Sequence, residues 1–155
     1  MNKMMISSTG ATYIWNRIGV NWTQTTNIPG IGGFPGQGFS PHTVDINGAG
    51  NIVVIGDRTF GGNNGRAVVF ALISGIWTQV AILSANDNIG PYQQGKAVAI
   101  SSSGDTIIVG GPHDNGDIGA TWVYQYDPSA TTWLQQGSKI IATGDIGNTG
   151  STGST

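Results

Sequence analysis

The chain of 155 residues contains no cysteine, so no disulfide, thiolate metal ligand or thiol nucleophile can be built from it. Charge is scarce: Asp, Glu, Lys and Arg make up 9% of the residues and the net charge is −2. The basic residues (Lys3, Arg17, Arg58, Arg66, Lys96, Lys139) are scattered. They form no stripe able to neutralise phosphates, so no nucleic-acid partner is expected. No apolar run approaches the roughly eighteen residues of a membrane span. The opening MNKMMISST is too short an apolar run for a signal peptide. What is abundant is glycine, with 26 residues, alongside many Ser, Thr and Asn. Such a composition suits a Gly-turned all-β protein outside the cell better than a cytosolic enzyme. Export would then use a signal outside this chain, or release would follow assembly or lysis.

The sequence repeats itself. Gly10-Ala11-Thr12-Tyr13-Ile14-Trp15-Asn16 aligns with Gly65-Arg66-Ala67-Val68-Val69-Phe70-Ala71 and with Gly119-Ala120-Thr121-Trp122-Val123-Tyr124-Gln125. Each is followed by a tryptophan in Trp22-Thr23-Gln24, Trp77-Thr78-Gln79 and Trp133-Leu134-Gln135. Upstream, Val44-Asp45-Ile46-Asn47 matches Val98-Ala99-Ile100-Ser101. The spacing of about 55 residues lies in the range of propeller and solenoid repeats.

One copy, 95–141, is the clearest and predicts four strands A to D at about 96–101, 106–110, 119–126 and 132–141. Strands A and B are short continuous apolar runs, as expected when both faces are buried. Strand C alternates: Ala120, Trp122, Tyr124 and Tyr126 take one face, and Thr121, Val123 and Gln125 the other. That pattern is expected of a strand nearer the edge. Ser102-Ser103-Gly104-Asp105 and Asp127-Pro128-Ser129 are the turns. No sustained 3.6-residue period occurs, which predicts essentially no helix. The divisions are a half repeat with strands C and D plus connector at 1–37, full repeats at 38–94 and 95–141, and a Gly/Thr-rich segment at 142–155. The fold class expected is all-β, with about two and a half four-stranded antiparallel propeller-type units.

Gly95-Lys96-Ala97-Val98-Ala99-Ile100-Ser101 with Ile107-Ile108-Val109-Gly110-Gly111-Pro112 resembles the FG-GAP repeat, the blade unit of integrin-α-like β-propellers. Gly119-Ala120-Thr121-Trp122-Val123-Tyr124 with Trp133-Leu134-Gln135 is similar to blades of microbial and giant-virus members. The resemblance implies four-stranded blades and a role in adhesion or surface structure, without catalysis. Propellers of this family close about seven blades in one chain, and four to eight are typical. Two and a half cannot close a ring, so self-association into a closed oligomer or a filament is expected, with the hairpin at 10–26 as docking element.

The resemblance also directs attention to calcium, which integrin-type blades hold in the A–B turn. Asp45 and Asn47 keep the first two ligand positions, whereas Ala49 and Val53 stand where carboxylates would be. Calcium takes six to eight oxygens, so an ordinary Asn/Gly turn is expected. His113, Asp114 and Asp117 crowd one loop and are candidates for metal or acid–base chemistry. No nucleophile accompanies them, which favours a polar B–C loop. Trp15, Trp22, Trp77, Trp122 and Trp133 could stack sugars, but their recurrence at equivalent positions points to packing between repeats. Asn21-Trp22-Thr23 is an N-glycosylation sequon. Glycine at every third position from Gly144 to Gly153 is the collagen register, though an inter-repeat linker explains it more simply. The expectation is a non-enzymatic extracellular or virion-surface structural and adhesion module. The alternative is a lectin-like module binding surface glycans or proteins, with or without calcium.

Overall fold

A computed structural model describes residues 3–8, 11–29 and 43–142. They form three antiparallel sheets, each a simple meander. Sheet one contains β1 (Lys3–Ser8), β2 (Ala11–Ile18) and β3 (Asn21–Pro29). Sheet two contains β4 (Val44–Ile46), β5 (Ile52–Asp57), β6 (Arg66–Ile73) and β7 (Ile76–Leu83). Sheet three contains β8 (Ala97–Ile100), β9 (Thr106–Gly111), β10 (Ala120–Asp127) and β11 (Thr132–Gln135). The Gly/Thr segment from 143 onward, and most of the connector after β3, lie outside the described residues.

The registers place the repeats on one another. Val68 pairs with Ile55 and Phe70 with Val53, as Trp122 pairs with Val109 and Tyr124 with Ile107. A bulge falls between Ile14 and Trp15 in sheet one and between Val69 and Phe70 in sheet two, the same repeat position. The B–C connections also match: α1 (Phe60–Asn63) and α2 (Asp114–Asp117) are single turns. Gly61, Gly62, Asn115 and Gly116 all have positive φ inside them, so neither is a regular helix. Gly and Asn adopt that backbone at little steric cost.

Sheet two sits between the others and is buried on both faces. Val53, Ile55, Val68 and Phe70 pack with Ile14 and Ile28 of sheet one. Val54, Ala67, Val69, Ala81 and Leu83 pack on Ile107, Val109, Ala120, Trp122, Tyr124 and Trp133 of sheet three.

The structure corrects the expected element pattern in four places. The first repeat is not a bare C–D hairpin, because Lys3–Ser8 pairs with β2 along six residues. Pairing satisfies the open edge of β2, and so short a segment carries no periodic signal by itself. Strand C is not near an edge in the ladder, since β10 lies between β9 and β11. Its alternation arises because no described sheet covers the far face. For the same reason β8 is not buried on both faces: Ala97 and Ala99 are exposed, while Val98 and Ile100 are half-buried. Finally, β11 ends at Gln135 rather than near 141. Gly137 at φ +69 turns the chain out, and Ile140 rejoins the sheet opposite Thr121.

Candidate functional site

Three features of the structure can carry function: the turn of Asp45 and Asn47, the loop of His113 to Asp117, and the faces at the two ends of the sheet stack. Asp45 lies in β4 and both its carboxylate oxygens accept backbone hydrogen bonds. Oδ1 accepts from the N–H of Ile46 at 2.8 Å, and Oδ2 accepts from the N–H of Ile100 in sheet three at 2.9 Å. Asn47 is buried, and its Oδ1 accepts from the N–H groups of Asn51 and Ile52, each at 3.0 Å. Its Nδ2 donates to Asn51 Oδ1 at 2.9 Å. The turn is thus internally satisfied and tied to the next sheet, with the Gly48 N–H donating to the Ser102 carbonyl at 2.8 Å. The matching turn of sheet three closes with hydroxyls: Ser101, Ser103 and Thr106 donate to Asp105. These bonds hold the Asp105 carboxyl below the ordinary carboxylate range.

In the B–C loop of sheet three, the three candidates separate. Asp114 is fully buried; its Oδ1 accepts from the Ile89 N–H at 2.8 Å and its Oδ2 from Lys139 Nζ at 2.5 Å. A buried carboxylate held this way is a structural anchor. His113 instead contacts Asp117 at the surface. No group of three His, Cys, Asp or Glu suited to a metal occurs among the described residues. His113 and Asp117 do line a groove of about 310 Å³ with Asn63, Ile89, Pro91 and Gln93.

The connector between sheets two and three carries a network that the repeat pattern did not indicate. Asp87, in the connector between sheets, accepts from the indole N–H of Trp122 at 2.8 Å, from Gln135 at 3.1 Å and from the Lys139 backbone at 2.7 Å. Burial works against the Asp87 charge, yet these donors and the Lys139 ammonium outweigh it and hold the carboxyl below its usual range. Gln94, also buried, donates to the Tyr124 hydroxyl at 2.6 Å and accepts from the Ala85 N–H at 3.0 Å. Burial, only partly offset by Gln94, raises the Tyr124 phenol well above its normal value. Asp87 and Gln94 sit in irregular chain, so no periodicity marks them. Only the polar stretch Ser84-Ala85-Asn86-Asp87-Asn88 hints at a turn.

The tryptophans divide by position in the stack. Trp122 is fully buried and Trp133 nearly so, its indole N–H donating to the Gly104 carbonyl at 3.1 Å. Trp133 also meets Tyr126 edge to face at 4.9 Å between centroids. Trp77 is half-buried against the sheet-one contact. Trp22, at the equivalent position of sheet one, is 41% exposed, with the Arg17 guanidinium 5.9 Å from its ring centroid. Packing between repeats therefore accounts for Trp77, Trp122 and Trp133 but not for Trp22, whose face meets no described sheet. Trp15 is half-buried on that same face, and its buried indole nitrogen has no hydrogen-bond partner among the described residues. Asn21 of the sequon is exposed beside the hairpin tip formed by Ile18, Gly19 and Val20.

At the other end of the stack, the far face of sheet three is apolar and open. Ile108 is 44% exposed where its sheet-two equivalent, Val54, is fully buried. Ile140, opposite Thr121, is 58% exposed; Leu83, opposite Ala67, is 2% exposed.

No family model matches the sequence, and no curated protein matches it. Among solved structures the chain is similar to a putative 6-phosphogluconolactonase from Bacteroides uniformis ATCC 8492, at 11% identity and a TM-score of 0.52. The match covers 83% of this chain and 34% of that one, so the chain spans about a third of its length. At this identity the likeness concerns the arrangement of strands alone.

Proposed function

We propose that this chain is a non-enzymatic structural module of propeller-type blades that acts by self-association through the open ends of its sheet stack. The carrying observation is the exposed Ile108 on sheet three, where the equivalent Val54 of sheet two is fully covered. Repeat sheets bury their apolar faces only against neighbours, so an end sheet with a core-like face invites another. Low charge and high glycine content suit a cell- or virion-surface setting, with adhesion as its use. The His113 loop and the Asp45 turn contribute to this reading by being occupied with the fold's own contacts.

Multi-angle light scattering of the 155-residue chain over a concentration series tests the proposal. A mass that rises above 16.0 kDa with concentration is expected. A monodisperse monomer throughout overturns it.

A further inference from the structure

Resting on that reading, we infer that the far face of sheet three seats the open face of sheet one from a second copy. Two copies thereby close a six-sheet ring.

The contact already exists once inside the chain, between sheets two and three. Its receiving side is Val54, Ala67, Val69 and Leu83, which the registers map onto Ile108, Thr121, Val123 and Ile140 of sheet three. Its inserting side is Trp122, Tyr124 and Trp133, packed on those residues. The same positions in sheet one hold Tyr13, Trp15 and Trp22. Trp22 pairs with Arg17 as Trp133 pairs with Tyr126. The buried set of sheet three is thus repeated at the other end as half-buried Tyr13 and Trp15 and exposed Trp22. Receiving and inserting faces lie at opposite ends of one chain, and each is of the type the internal interface uses.

Each junction is head-to-tail, and such contacts close into rings or run on as filaments; in a ring of two copies a two-fold axis relates the two junctions. Closed propellers hold about four to eight sheets. With three sheets per copy, six is the multiple that fits. The new junction differs from the internal one at its hub. Ala99 stands where Asp45 would accept a bond from the next sheet, so apolar burial supplies the contact.

The test uses the full chain and two variants, Ile108→Lys and Trp22→Ser, each at a position already partly exposed. The wild type is expected to scatter at about twice 16.0 kDa. Each variant should weaken association by about tenfold or more while keeping its circular dichroism and its melting temperature at dilution. Mixing the two variants leaves one intact junction and should restore heterodimers, which a contact of either face with the same face of the second copy would not do. A dimer indifferent to both substitutions, or variants that fail to complement, overturns the face pairing while leaving self-association standing. A wild-type assembly larger than two copies overturns the closed pair, and a wild-type monomer overturns both readings.

Discussion

Asp45 Oδ2 accepts a hydrogen bond from the Ile100 backbone N–H at 2.9 Å, joining strand β4 of sheet two to strand β8 of sheet three. With Oδ1 bonded to the Ile46 N–H, neither oxygen is idle. Asp45→Ala should destabilise the chain by about 1–3 kcal/mol, because it leaves a part-buried N–H without its acceptor. Urea denaturation reads this directly. Millimolar calcium should leave the melting temperature of the wild type unchanged. A calcium-induced rise that disappears in Asp45→Ala would mean the carboxylate is a metal ligand instead of a latch.

Glycines at the seam separate steric from conformational effects. A Cβ on Gly65 would meet the Gln94 carbonyl oxygen at 2.1 Å, and its φ is +79. Gly75 has a similar φ of +84 but open space around it. Gly75→Ala should therefore cost about 1–2 kcal/mol from backbone strain alone. Gly65→Ala should cost more, roughly 3 kcal/mol or above, because backbone must move as well. Equal losses in thermal melts would rule out close packing of the connector against β6.

The Asp87 carboxyl, held below its usual range, makes stability depend on pH with a definite sign. A depressed folded value means the unfolded chain binds the proton more readily. The contribution is therefore complete above the ordinary carboxylate value of about 3.9 and is lost as pH falls through the lower folded value. Asp87→Asn should be less stable than the wild type at pH 7 and should lose less on acidification. Denaturant midpoints at pH 7 and pH 3 check this; parallel acid losses in both proteins would show that Asp87 does not contribute.

A buried and an exposed tryptophan should respond very differently to truncation. Trp122→Ala removes a fully buried ring and the bond to Asp87, costing about 3–5 kcal/mol. Trp22→Ala, on the open end of the stack, should cost less than about 1 kcal/mol at concentrations where the chain is monomeric. Calorimetry at low concentration distinguishes the two. A large loss at Trp22 would place hidden packing on that face.

The sequence alone determined that the chain is built of repeated β units. The matched Gly-Ala-Thr segments and the recurring tryptophans placed β2, β6 and β10 on one another, as their registers do. Strand period and turn residues are local properties, so they are legible without the fold. Tertiary structure decided what equivalent residues do. Val54 and Ile108 occupy one repeat position, yet only Val54 has a sheet lying over it. Asp114 and His113 are neighbours in sequence, but one is drawn inward to Lys139 while the other faces solvent. The β1 strand, and the roles of Asp87 and Gln94 in the connector, likewise depend on partners distant in sequence. Burial and hydrogen bonding are set by which segments meet in space, and a periodic pattern encodes a face without naming what covers it.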